Sequence, residues 1–322
     1  MIEISGAATI VLFVLFHQKR RTMDAPFFRK NLVGIFCYIS DFCKDFQKKG
    51  LEKVLPNPHR KRSRECSMPM AEIMTIVVMF HLSGMQNFKL YYAFLEEYHR
   101  KDFPDLLSYN RFIEIQGGLM LPLFMLAQCL QGEKTGIYFI DSTPLKVCHN
   151  LRIYSHKVFK GFAKRGKSST GWFFGFKLHL VFNHKGEIVE FMLTAGNVDD
   201  RKVVDEMTEL LKGWLFGDRG YISKYLSSQL SARDLKLITK VKKNMDKVPL
   251  SGFEKYFLRK RGFVETGIKK LKQQCQIEHT RHRSLENFVV NILGAIAAYA
   301  LAIKKPSIKH NQLGAAPILI PS

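Results

Sequence analysis

The sequence predicts an α/β protein: an all-α N-terminal domain, then a mixed sheet in which an antiparallel three-strand meander precedes αβαβα. Three observations carry that expectation. Apolar residues recur at helical spacing from about Leu32 to Leu130. From Gly136 the texture turns to β-branched and aromatic runs. Between two of these runs stands Asn183-His184-Lys185-Gly186, the composition of a hairpin turn.

In chain order, Ile35, Phe36, Ile39, Phe42 and Phe46 predict a first helix with Lys44, Lys48 and Lys49 on its polar side. A basic linker, His59-Arg60-Lys61-Arg62-Ser63-Arg64, follows. Ser67 is placed to cap a second helix, whose Ile73, Met74, Ile76, Val77, Met79 and Phe80 leave little polar surface and make it central. Gly84 ends it. Helices from Phe88 to Tyr98 and after Ser108 complete the segment. Strands are expected at Ile137 to Ile140, ending in Asp141, at Trp172 to Phe182 and at Ile188 to Leu193. A helix from Asp200 to Leu211, a short buried strand Trp214-Leu215-Phe216, a helix from Ser223, a strand Leu235 to Val241 and helices to Ile303 finish the order.

The chain has 322 residues, 50 Lys+Arg against 28 Asp+Glu, and a net charge of +22. A hydrophobic fraction of 46% excludes a largely disordered chain, and the length allows a core that needs no staples. The charge points to an acidic partner, nucleic acid or an anionic membrane surface. The six cysteines are scattered with no C-x-x-C pair, which excludes a zinc ribbon and favours reduced thiols. The apolar run Ile10 to Phe16 carries its positive charges after it, unlike a secretory signal, and is too short to span a bilayer. Residues 1–27 read as an extension from a mis-assigned start. The stretch Phe288 to Ile303, interrupted by Asn291 and rich in Ala, reads as a buried helix rather than a membrane span. A membrane-surface protein is disfavoured, because the basic residues cluster around the expected strand ends and not on one amphipathic helix.

Asp141 ends the first strand, in Phe139-Ile140-Asp141-Ser142-Thr143, and Asp218 ends a later one, in Phe216-Gly217-Asp218-Arg219-Gly220-Tyr221. Carboxylates at the ends of neighbouring strands converge at one sheet edge and repel one another unless a cation sits among them. A pair of divalent ions held by shared carboxylates is a solution for phosphodiester chemistry. The third acid is Glu265: on a helix, Arg261, Glu265, Lys269 and Lys272 share one face. That face reads either as a salt-bridged solvated surface or as a metal ligand set among phosphate-binding cations.

These motifs, with Arg261 and Lys272 around Glu265, resemble the signature of DDE transposases of bacterial insertion sequences. More closely, Cys66 to Phe80, Ser108 to Phe112, Cys148 to Asn150, His156 to Gly161, Gly171 to Leu180, Gly196 to Arg201 and His279 to Ser284 resemble the insertion sequence 982 family, over about Leu32 to Lys305. The related signature usually has Tyr three residues before the Arg, where this chain has Leu258. The resemblance implies an RNase H-like catalytic domain at residues 133–305, after a helical DNA-binding or packing domain at 28–132 and before a flexible tail at 306–322. It implies two Mg²⁺ ions, with Mn²⁺ as a substitute, held by Asp141, Asp218 and Glu265. The implied activity is binding of terminal inverted repeats with strand cleavage and transfer, by a homodimer on double-stranded DNA in the nucleoid of a bacterial cytoplasm. The alternatives are a nuclease of the same fold without strand transfer, or an inactive, repurposed DNA-binding protein.

The basic surface is legible without the resemblance. Lys146, Arg152, Lys157, Lys160, Lys164, Arg165 and Lys167 follow the first strand with no acid among them, interleaved with Tyr154, Phe159 and Phe162. As a loop it would track phosphates toward the site, joined by Arg261, Lys269 and Lys272. His149, His156 and His179 read as hydrogen-bonded or phosphate-contacting rather than metal-bound.

Overall fold

The computed structural model describes residues 32–50, 66–169, 171–240, 249–278 and 282–308. The apolar run near the N-terminus, the basic linker at 59–64 and the tail beyond residue 308 lie outside them. Contacts divide the chain into two compact units. One holds the described residues up to Ser83, Asn87–Leu130 and Val289–Ile303; the other holds Gly84–Gln86, Gln131–Phe288 and the segment from Lys304. Val289–Ile303, within the segment 133–305 that the sequence reading assigns to a catalytic domain, group by contacts with the helical unit.

The helical unit contains α1 (Leu32–Lys48), α2 (Met70–Ser83), α3 (Phe88–Tyr98), α4 (Tyr109–Gln116) and α5 (Met120–Cys129). Ile35, Ile39, Phe42 and Phe46 of α1 are buried, the stripe that the spacing predicts. The second helix begins three residues after Ser67, with the Pro69 carbonyl accepting from the Ile73 amide. Asn87 and Ser108 cap α3 and α4 through their side-chain oxygens. Tyr109–Cys129 is long and apolar enough to cross a membrane by length and composition alone; its Phe112, Leu119, Leu123 and Leu126 are buried in the unit. The late helix α10 (Leu285–Leu301) is buried along most of its length.

The second unit is built on a mixed sheet of six strands: β1 (Ile137–Cys148), β2 (Lys164–Ser168), β3 (Gly171–Asn183), β4 (Ile188–Ala195), β5 (Gly213–Gly217) and β6 (Leu235–Thr239). β3 runs antiparallel to β1 on one side and to β2 and β4 on the other. β5 lies parallel between β1 and β6. One face packs Tyr138, Ile140, Val181, Leu215 and Tyr221 with α6 (Val204–Met207) and α7 (Lys224–Ser231). On the other, Phe139 stacks on Phe216 at 5.2 Å and meets Phe263 edge-on at 4.8 Å, which seats α8 (Gly252–Lys260) and α9 (Phe263–Gln273).

Four details depart from the sequence reading. β1 does not stop at Asp141 but continues to Cys148 through Pro144. A proline there costs no ladder bond on the β5 side, because β5 pairs with β1 only over Ile137–Phe139. The basic stretch contains a strand: Lys164, Arg165 and Lys167 lie in β2 and form a hairpin with β3. Phe159 is not an exposed stacking ring; it is buried against Phe176 and Phe288. The helix expected from Asp200 to Leu211 is a 3-10 turn followed by the four-residue α6.

Candidate active site

β1 delivers Asp141, β5 ends one residue before Asp218, and α9 carries Glu265 in its first turn. Alternation along β1 sends Asp141 to the same face as Phe139, where α9 packs. All three acids meet the guanidinium of Arg261, which stands between α8 and α9. Its Nη1 lies 3.4 Å from Asp141 Oδ2, and its Nη2 lies 3.5 Å from Asp218 Oδ1 and 3.6 Å from Glu265 Oε1. Arg261 is 14% exposed at the side chain, whereas Asp218 and Glu265 are 54% and 67% exposed. Arg261 pairs with the strand-borne acids Asp141 and Asp218 as well as with Glu265, four residues further along the chain.

The Asp141 carboxyl is pushed up to about 6 by burial, with the charges of Asp218 and Glu265 adding to the rise. Arg261 and the Ser142 amide, which donates to Asp141 Oδ1 at 2.9 Å, oppose it. Asp141, Ser142, Glu265, Ile268, Lys269 and Lys272 line a cleft of about 670 Å³. Lys272 is held by Glu278 at 2.5 Å and donates to the Pro144 carbonyl at 3.4 Å.

A fourth acid, Asp200, stands on the opposite face of β1. Ser142 Oγ donates to Asp200 Oδ2 at 3.0 Å, and Lys177 Nζ donates to Asp200 Oδ1 at 2.8 Å. His179 is buried beside them and hydrogen-bonds Thr194 at 2.9 Å; burial holds its imidazole down at about 4, against the pull of Asp200. It is therefore neutral near pH 7. Burial also drives the Tyr221 phenol well above its ordinary range, helped by the charges of Asp200 and Asp141. The sequence reading gave Asp200 no role, although the Asp199-Asp200 doublet stood within the stretch Gly196 to Arg201.

The predicted basic residues Lys146, Arg152, Lys157, Lys160, Lys164, Arg165 and Lys167 are all exposed, as is Lys269. They lie on the same unit as the acids. Residues 131–285 match the family model of the transposase DDE domain. That match covers Asp141, Asp218 and Glu265 and all the sheet. It makes the segment similar to the DNA-cleaving domain of DDE transposases, whose substrate is DNA and whose domains generally use divalent metals. No curated protein matches the chain.

Among the described residues, no group of three or more Asp, Glu, His or Cys side chains is arranged as a metal site, and the Arg261 guanidinium lies between Asp141, Asp218 and Glu265. The donor chemistry nevertheless fits a hard divalent ion. Three carboxylates aim at one cationic centre, and oxygen donors are what Mg²⁺ and Mn²⁺ take.

Proposed function

We propose that the chain is an insertion-sequence transposase related to the insertion sequence 982 family, which binds the terminal inverted repeats of its element and performs DNA cleavage and strand transfer. The observation that carries this reading is the convergence of Asp141, Asp218 and Glu265 on one cation, within a segment that matches the transposase DDE domain. On this reading the three acids hold two Mg²⁺ ions, with Mn²⁺ able to replace them. Those ions, when bound, lower the pKa of the attacking hydroxyl and stabilise the leaving oxygen.

The chain's own residues set the conditions for that step. The Ser142 amide fixes the Asp141 carboxylate, and above pH 6 that carboxylate is mainly ionised. Lys269 and Lys272 line the cleft with Asp141 and Glu265 and offer cations to the scissile phosphate's neighbours. Lys146, Arg152, Lys157, Lys160, Lys164, Arg165 and Lys167 extend a cationic surface for duplex phosphates. Arg261 balances the acids before DNA and metal arrive. Joining requires two ends held together, so the working form is a dimer on DNA. The place of action is the bacterial nucleoid, and the helical segment reads the ends.

The test is a cleavage assay on labelled DNA carrying the element's ends, with Mg²⁺ or EDTA, comparing the parent chain with Glu265→Gln. Nicking at the terminus that needs metal and is lost in the variant supports the proposal. Binding without cleavage under Mg²⁺ and Mn²⁺ overturns the enzyme and leaves a DNA-binding relic. Cleavage with no joined product reduces it to a nuclease.

A further inference from the structure

Trp172 opens β3 with 53% of its surface exposed, although large aromatic side chains are the costliest to leave in water. The β2–β3 hairpin does not need that ring, since the backbone ladder from Lys164↔Gly175 to Ser168↔Gly171 holds it. What accompanies the ring is charge. Arg165 Cζ lies 5.1 Å and Lys167 Nζ 5.7 Å from the ring centroid. Among the described residues, neither cation makes an ion pair. The Asn150 side-chain amide donates to the Trp172 carbonyl at 2.9 Å, which fixes the backbone beneath the ring.

The cleft at this ring holds residues that neighbour the acids in the chain or through Ser142. Arg165, Lys167, Trp172, Lys177, Asp200 and Gly220 line one cleft. Gly220 is two residues from Asp218, and Asp200 holds Ser142, the neighbour of Asp141. The acids of that cleft are already neutralised: Asp200 by Lys177, and Asp199 by Arg201 at 2.5 Å. Its remaining charge is that of Arg165 and Lys167, both on β2, across the hairpin from the ring.

We propose that Trp172, with Arg165 and Lys167, is a stacking platform for one unpaired nucleobase of the DNA strand being processed. The proposal rests on the reading of DNA as substrate and adds a subsite to it. An exposed indole offers a π-face to any base, and the two cations meet the phosphates on either side of it. A paired base has both faces covered by its neighbours in the stack, so the platform selects a nucleotide that has left the duplex.

The chain has two tryptophans, and the other, Trp214, packs on Phe253 at 4.8 Å. In a Trp214→Phe background, Trp172 is therefore the sole reporter. The experiment titrates this protein in EDTA with a single-stranded oligothymidylate and with a blunt duplex of equal length. Affinities come in parallel from anisotropy of labelled DNA, for the parent, Trp172→Ala and Trp172→Tyr. The expected result is quenching of Trp172 emission by the single strand. Trp172→Ala should weaken single-strand binding about tenfold and duplex binding much less, and Trp172→Tyr should restore most of the loss. Unchanged single-strand affinity in Trp172→Ala overturns the platform, and so does an equal loss on both DNAs, which would mark a plain charged surface. If the parent cuts element ends while Trp172→Ala binds normally, the platform falls and the transposase stands. If Trp172 binds single strands but the parent cuts nothing, the platform stands and the transposase falls.

Discussion

Ser142 joins Asp200 to the first acid: its hydroxyl donates to Asp200 at 3.0 Å while its amide donates to Asp141 at 2.9 Å. One residue of β1 thus ties an acid on one face of the sheet to an acid on the other. Lys177 completes the tie with bonds to Asp200 and to the Val198 carbonyl, both at 2.8 Å.

Asp200→Ala is therefore expected to lower stability by about 1–3 kcal/mol, since it strips a partner from the largely buried Lys177 and from Ser142. It should reduce nicking at least tenfold with DNA affinity retained, and Asp200→Asn, which keeps an acceptor for Ser142, should lose less. Urea melts and single-turnover nicking check this together. A variant that melts and cuts like the parent would show that the tie does nothing.

The pH dependence of stability should carry the signature of two carboxyls. Asp141 is raised to about 6 and Glu190 to about 7, both chiefly by burial. Between about pH 4 and 7 the native state holds these protons more tightly than the unfolded chain, so each group's contribution to stability falls as pH rises. Asp141→Asn and Glu190→Gln should each match the parent near pH 4 and gain on it toward neutrality, by up to about 3 kcal/mol. His179 acts in the opposite sense below pH 6.5, so the comparison is between variant and parent at each pH, in metal-free buffer. Chemical denaturation at four pH values measures it; a gain independent of pH would contradict the assignment.

Phe139→Ala should cost about 3–5 kcal/mol, because the fully buried ring contacts Phe216, Phe257 and Phe263 at once. The same change loosens α9 and with it Glu265, so nicking should fall more than DNA binding. Calorimetry paired with a binding isotherm separates the two effects.

Gly175→Ala probes the crossing of three strands. A Cβ at Gly175 would lie 2.0 Å from the Leu145 carbonyl oxygen, and backbone cannot yield as a side-chain tip can. A loss of about 3 kcal/mol or more is expected. Soluble yield and melting temperature report it, and a variant as stable as the parent would mean that β1 and β3 are spaced more widely there.

The meeting of Asp141, Asp218 and Glu265 was legible because a carboxylate directly after an apolar run is unusual in itself, as at Asp141 and Asp218, and Glu265 stood out as the acid on a cationic helix face. The far half of β1 was hidden by Pro144 and Lys146, residues a central strand avoids but an edge tolerates. β2 was hidden because Lys164–Ser168 has no apolar side chain; it forms through its hairpin with β3, and pairing of that kind leaves no periodicity in the strand itself. Asp200 was missed for a related reason. Its partners Ser142 and Lys177 are 58 and 23 residues away, and only the β1–β3 register brings them together.

That register gives the three acids unequal footing. Asp141 rides on a strand laddered to β3 from Tyr138 to Cys148, while Asp218 begins a 3-10 turn and Glu265 occupies the first turn of a helix. Backbone of the first kind opens only when the sheet comes apart; turns and helix ends fray far more readily. If the three acids grip an ion as proposed, Asp141 is the fixed jaw of a vice, and the adjustment falls to the two jaws that can travel.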